Sequence, residues 1–321
     1  MPAEDLFPRV TVVVPVFKGG ALARRAVQSL LAQTYGNLEI LVIDDGSPLA
    51  EDASLGEQFG ARIRFVAQPN TGLCGALNRA LFEIVRTPLV ARLDQDDWSA
   101  PERIETQVKT LLDSGAIACF TRLHKVTESG RVMAIHPLDS AATFAYDPAC
   151  HGCIAHSTLL ARTDILRGLG GYDAELYPCD DFDLSIRLWR AGRVVVCGAP
   201  LVRYLVHDEG NTFSHFWDME LKTRYVLAKL RDDQPVPPFA QWRTAGGKEA
   251  ALGVMDRVQG LGRMYYRRAG IRIGNGRWLR GGAYLLAALL LNPRFFLRRI
   301  AHSLALRAAA PPAGKRVPPA V

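Results

Sequence analysis

The chain has 321 residues, of which 49% are hydrophobic and 22% charged. It can bury a sizeable core, which excludes a wholly disordered chain. No run of about 18 consecutive apolar residues occurs, which argues against a membrane-spanning helix. The net charge of +7 is uneven: residues 1–239 carry 24 Lys+Arg against 30 Asp+Glu, whereas residues 240–321 carry 15 Lys+Arg against only Glu249 and Asp256.

An acidic body with a basic end directs that end towards something anionic: phospholipid, nucleic acid or a charged substrate. The opening MPAEDLFPRV has two acids and no apolar h-region, so no secretory leader is expected. Six scattered cysteines (74, 119, 150, 153, 179, 197) are too sparse for a disulfide scaffold and suit a reducing, cytoplasmic compartment.

In chain order, Val10–Val16 is a β-branched run that reads as a buried strand. Ala21–Gln33 has helical spacing. Leu38–Ile43 is a second strand, stopped by Asp44-Asp45-Gly46-Ser47, and Ile63–Ala67 a third. Gly75–Val85 is a helix, and Leu89–Leu93 a fourth strand ending at Asp94. Strand and helix alternating on short links predict a parallel sheet covered by helices, with ligands beyond the strands' carboxyl ends. Further on, a helix is expected from Pro101 to about Asp113, a strand over Ala116–Phe120 and a hairpin with loop over 121–146. Asp180–Ala191 is a helix, Val194–Cys197 and Leu201–Val206 are strands, and the chain turns helical after about 215. Residues 308–321, with four prolines and no apolar period, read as disordered.

Asp94-Gln95-Asp96-Asp97 packs three carboxylates into four residues after an apolar strand, a costly clustering unless a cation sits there. Hard oxygen ligands suit Mg²⁺ or Mn²⁺. The same acids also fit a solvated turn in which Asp97 or Ser99 caps the following helix. Asp180, Asp181 and Asp183 open a helix, where acids favour the positive end of its dipole; one of them could equally serve as a general base. Cys150-x-x-Cys153 with His151 and His156 nearby lacks a second pair at zinc-site spacing.

Taken in order, VTVVVPVF, SLLAQTYGNLEILVIDDGS, NTGLCGALNRAL, LDQDDWSAPERI, HSTLLARTDILRGLGGYD and CDDFDLSIRL resemble the family 2 glycosyltransferases over roughly residues 8–210. The resemblance implies a GT-A, Rossmann-like α/β fold and an inverting transfer of sugar from a nucleotide-diphosphate donor, expected to be a UDP-sugar, to a hydroxyl acceptor. It implies a catalytic domain over 8–215, with a nucleotide half at 8–97 and an acceptor half at 98–215. It also implies residue roles. Pro15, Val16 and Phe17 line the nucleotide pocket, Asp45 meets the base, and Asn70 and Asn78 belong to the donor loop. Asp94 and Asp96 form the DXD motif, with Asp94 near ribose or metal and Asp96 as direct ligand of Mg²⁺ or Mn²⁺. His207 is a candidate additional ligand. His156 lies on the phosphate and acceptor side, where a satisfied structural histidine is the other reading. Asp181 is the general base, and Asp180 stands where Glu is usual, which keeps the charge and shortens the side chain.

The basic region 216–307 is expected to be a helical extension. In it Trp278–Leu291 ends in nine apolar residues, Asn292-Pro293 restarts a helix, and Phe296, Leu297, Ile300 and Leu304 recur at helical spacing among arginines. Nine apolar residues cannot span a bilayer, but such helices lie on anionic membranes, here the cytoplasmic face of an inner membrane. The other reading is two helices packed on the catalytic domain. Surface polysaccharide or lipid-linked glycan synthesis is the setting that family and tail together suggest. Three competing functions fit less well: an oxidoreductase lacks the G-x-G-x-x-G turn at Val16–Gly20, a nucleic-acid binder lacks any matching signature, and a non-catalytic nucleotide-sugar binder would not need both Asp96 and Asp181.

Overall fold

A computed structural model describes residues 7–128, 130–136, 142–207, 211–231, 236–245 and 251–309. The expected disorder at 308–321 falls largely at 310–321, outside the described residues, as do 208–210 of the loop after His207.

The body is one mixed sheet. Strands β1 (Val10–Val16), β2 (Leu38–Asp44), β3 (Arg64–Ala67) and β4 (Leu89–Arg92) pair in parallel in the order β3-β2-β1-β4. The sheet continues through β9 (Leu160–Arg162), β6 (Ala118–Val126) and β10 (Val194–Leu205) to the two-residue β5 (Trp98–Ser99). β9 is antiparallel to both β4 and β6, and β10 is parallel to β6. Thus β1, β2, β4, β6 and β10 all point one way, and their carboxyl ends share one rim. β7 (Val132–His136) and β8 (Phe144–Ala145) add antiparallel edges to β6 and β10.

The apolar runs serve both faces of this sheet. Val10, Val12, Val14 and Val16 enter one core cluster with helices α1 (Ala21–Leu31) and α3 (Arg103–Ser114). Val13, Leu41 and Ile43 enter the opposite cluster with α2 (Gly72–Arg79). Period-two side chains on a sheet covered on both sides require this uninterrupted pattern.

Several boundaries differ from expectation. The helix at 75–85 is α2 followed by a π-helical turn, Ala80–Ile84. α3 begins at Arg103, because Pro101 and Glu102 form the turn before it. The strand at 116–120 runs on to Val126 because β7 pairs its far half. The two strands at 194–206 are one, with register shifts between Cys197 and Val202 that absorb Pro200. α4 (Asp180–Ala191) forms as expected and leads through Gly192 into β10.

The chain divides into compact units at Ala251, not at 215. The reason is a third apolar cluster, in which Tyr225 and Val226 of α5 (Phe216–Arg231) and Phe239 and Trp242 of α6 (Phe239–Ala245) bury against Phe182 and Ile186 of α4. The second unit holds α7 (Val254–Gly274), α8 (Trp278–Leu291) and α9 (Pro293–Ala309). α7 and α8 meet along small residues. A Cβ on Gly281 would lie 2.4 Å from Ile273 Cγ1, and one on Gly262 would lie 2.6 Å from Asn292 Cβ. Among the described residues no helix is long and apolar enough to cross a membrane.

Candidate active site

The loops at the sheet's rim are built by buried polar side chains. After β1 the chain turns through Lys18, at φ 56°, and Gly20, at φ 52°. The fully buried Asp52 holds this turn: its carboxylate accepts from Gly19 N at 2.8 Å, Gly20 N at 2.7 Å and Ser47 Oγ at 2.7 Å. Gln95 clamps the same turn from the other side. Its Oε1 accepts from Phe17 N at 2.8 Å, and its Nε2 donates to Phe17 O at 3.0 Å. Pro15 and Val16 themselves are buried in the sheet, and Val16 O is taken by Asp45 N at 2.8 Å. Of the three expected pocket residues only Phe17 presents its side chain outward, 39% exposed.

Asp45 follows β2 and is buried. Its Oδ1 accepts from Gln68 Nε2 at 2.7 Å, Thr71 N at 2.8 Å and Thr71 Oγ1 at 3.1 Å. A hydrogen bond from a base would therefore fall to Oδ2. Asn70 braces this turn by donating to Asp45 O at 2.9 Å. Asn78 is used to secure a distant segment: its amide donates to Tyr172 O and accepts from Tyr172 N, both at 2.8 Å.

After β4 the three acids part ways. Asp94 is paired with Arg92 Nε at 2.7 Å, and its N–H donates to Ser157 Oγ at 3.1 Å. Asp96 Oδ2 lies 3.3 Å from His207 Nε2, and both side chains are partly open to solvent. Asp97 is fully buried and accepts from Leu205 N at 2.9 Å, tying this loop to the end of β10 rather than capping α3. Burial, with Asp96 and Asp94 adding to it, raises the Asp97 carboxyl far above the usual range. Among the described residues no group of three His, Cys, Asp or Glu side chains gathers at metal-holding distance, and this includes the cysteine pair at 150 and 153.

α4 brings Asp180 and Asp181 to the same rim. Its third acid, Asp183, is committed to Arg187 Nε at 2.7 Å and to Lys229 Nζ. Arg187 in turn donates to Leu169 O and Gly171 O, so Asp183 anchors the helix. Asp180 is buried and its Oδ2 has no hydrogen-bond partner among the described residues. Burial and the neighbouring Asp180 carboxylate push the Asp181 carboxyl up to about 7, against the pull of the Arg92 cation. Burial raises the Tyr204 phenol at the end of β10, and Asp97, Asp96, Asp94 and Asp181 all add to it, which puts one phenol among the loop acids and Asp181. His156 is buried, with Nε2 2.9 Å from Ser185 Oγ and Nδ1 3.1 Å from the Tyr172 hydroxyl.

Five residues of this site were not singled out in the sequence: Asp52, Gln68, Arg92, Gln95 and Tyr204. Arg92 had a visible signal, a lone cation in an otherwise apolar strand. Asp52 had none, since it acts across a loop from an irregular helix.

Residues 11–166 match the family model for Glycosyl transferase family 2. An uncharacterized glycosyltransferase of Rickettsia typhi is 27% identical over 219 residues, which is 66% of this chain and 68% of that protein. The chondroitin synthase of Pasteurella multocida is 23% identical over 71% of this chain but only 24% of its own length. Among solved structures, S. aureus TarS 1-349 in complex with UDP-GlcNAc superposes with a TM-score of 0.58 at 15% identity, covering 87% of this chain and 81% of that one, which supports the GT-A fold. With the ordered motifs, the parallel strand ends and the acids they carry, these matches mark residues 11–166 as a segment similar to the family 2 glycosyltransferases on a GT-A fold.

Proposed function

We propose that the protein transfers a sugar from a UDP-activated donor to an acceptor hydroxyl with inversion, and that Asp181 is the general base. The observation that carries this reading is the convergence on one rim of Asp45, the Asp94–Asp97 loop and Asp181, whose carboxyl is held near neutrality. A base at about 7 is ionised often enough to accept a proton and basic enough to draw it from a hydroxyl. The acceptor oxygen attacks the anomeric carbon as its proton passes to Asp181, and the bond to the diphosphate breaks on the opposite face. One base suffices, because no covalent sugar–enzyme bond is made. The TarS complex with UDP-GlcNAc supports a nucleotide-sugar donor here by likeness of fold. Phe17 offers an aromatic face to the base, and Asp180 Oδ2, buried without a partner, is suited to accept from a substrate hydroxyl.

Asp96 and His207 fit a divalent cation, while Asp94 is paired with Arg92. A carboxylate is a hard donor, the Asp96 and His207 atoms face each other at 3.3 Å, and both stay accessible. With so few protein ligands, most of the coordination would come from diphosphate and water. Mg²⁺ or Mn²⁺ there would offset charge on the departing diphosphate. A screen of UDP-, GDP- and dTDP-sugars for nucleotide release with Mn²⁺ tests this reading; the expected result is UDP release that Asp181→Asn abolishes.

The C-terminal unit supports an anionic membrane surface as the place of work, on the cytoplasmic face and with a lipid-linked or surface glycan as acceptor. On α8 the small residues Gly281 and Ala288 face inward, while Leu279 is 92%, Leu290 74% and Trp278 61% exposed. Exposed Arg277, Arg280, Arg294, Arg298 and Arg299 flank these apolar side chains. Small residues inside and large apolar residues outside is the arrangement helices take against lipid.

A further inference from the structure

A buried chain of polar groups connects the donor-side loop to the helix that carries the base, and the reaction above makes no use of it. Arg92 Nε donates to Asp94 at 2.7 Å, and the Arg92 guanidinium lies 5.5 Å from the centre of the Tyr172 ring. The Tyr172 hydroxyl is 3.1 Å from His156 Nδ1, and His156 Nε2 is 2.9 Å from Ser185 Oγ. Ser185 Oγ is 2.8 Å from the backbone carbonyl of Asp181. Arg92, Tyr172, His156 and Ser185 are all buried.

The direction of each bond follows from the far end. A carbonyl oxygen only accepts, so the Ser185 hydroxyl spends its proton on Asp181 O. Ser185 Oγ must then accept, and His156 Nε2 must carry a proton. Burial holds the ring neutral, with Arg92 and Arg187 opposing any positive charge, so Nδ1 is bare and accepts from the Tyr172 hydroxyl. The phenol oxygen is left facing the Arg92 cation. Every group in the chain has one role and none can be reversed alone.

The Tyr172 end is fixed independently. Asn78 grips the Tyr172 backbone through both amide groups. The preceding Gly171 sits at φ 68°, where a Cβ would come 2.4 Å from Asn78 Oδ1, so no other residue fits this approach. Tyr172 therefore cannot drift, and the imidazole between it and Ser185 sets the height of the first turn of α4.

We propose that His156, as the neutral Nε2–H tautomer between Tyr172 and Ser185, is a positioning residue that holds the first turn of α4, and with it the Asp181 carboxylate, in register with the donor-side carboxylate Asp94. This rests on Asp181 being the base. A misplacement of about 1 Å at a reacting group can cost about 10²-fold in rate, so a chain that fixes one helical turn acts on kcat while leaving donor capture alone.

Two measurements on the full-length protein test it. The first needs no substrate: long-range ¹H–¹⁵N correlation on ¹⁵N-histidine-labelled protein should show His156 with its proton on Nε2, and a proton on Nδ1 overturns the proposal. The second uses the nucleotide sugar that scores in the release screen. Tyr172→Phe and Ser185→Ala each remove one hydroxyl with little change of shape. Each should lower kcat by about 10- to 100-fold with the donor KM held within about twofold. The Asp181→Asn variant runs beside them. If it keeps wild-type turnover, the assignment of the base fails. If it is inactive while folded Tyr172→Phe and Ser185→Ala turn over normally, the base stands and the positioning role of His156 is wrong.

Discussion

The catalytic rim and the C-terminal helices obey opposite burial rules. In the body, large apolar side chains go inward, and charges such as Arg103 and Asp183 that go with them are tied to partners. Arg103, fully buried, donates to Gln107, Arg92 O and Leu159 O, and Asp183 is enclosed by Arg187 and Lys229. In the helices from Val254 onward, glycine and alanine take the seam while leucine and tryptophan face out. The difference teaches that composition alone does not decide what is buried: both regions are rich in leucine and arginine, and only the first spends its leucines on a core. On the reading proposed above, the outward leucines are the side that meets lipid.

The sharpest way to break this comparison is at the rim. Asp181→Asn keeps shape and removes the proton acceptor, so transfer should fall by about 10²–10⁴-fold, read as UDP release, with UDP affinity unchanged by calorimetry. Asp96→Ala should weaken Mn²⁺-dependent UDP binding by about 10–100-fold, on the scale of lost metal-site groups, and leave the melting temperature alone because the side chain is partly exposed. In the second unit the seam is the weak point. Gly281→Leu drives a side chain into Ile273 and should destabilise by about 1–3 kcal/mol, seen in denaturant unfolding of that unit's signal. Leu290→Ser, on the outward face, should change stability by no more than about 0.5 kcal/mol yet reduce co-sedimentation with anionic vesicles. If it leaves vesicle capture untouched, the outward leucines meet something other than lipid.

Much of the fold was legible because strand ends and motifs coincide: Pro15, Asp45 and Asp94 each follow a continuous apolar run, and such runs in βα alternation leave few topologies open. The reversed strand β9 was not legible, since three residues carry no direction. The boundary at 251 was missed because α5 and α6 look basic, although Tyr225, Phe239 and Trp242 supply the apolar face that binds them to α4. At the site, the residues by themselves named the acids, and only the resemblance divided their roles. Asp96, Asp97, Asp181 and Asp183 are the same residue type, and only burial and partners show that Asp97 and Asp183 are anchors. His156 and Asn78 stand in the right segments but face inward, a distinction that spacing does not encode.

The claim on which the rest depends is that Asp181 takes the acceptor proton, and the pH dependence of kcat/KM at fixed Mn²⁺ tests it most directly. With its carboxyl held at about 7 by burial and Asp180, Asp181 carries a proton below that pH and is free to accept one above it. The predicted profile therefore climbs with pH and reaches half its plateau near 7. A profile that is flat through that region, or that breaks only near the ordinary carboxylate pKa of about 4, would contradict the assignment.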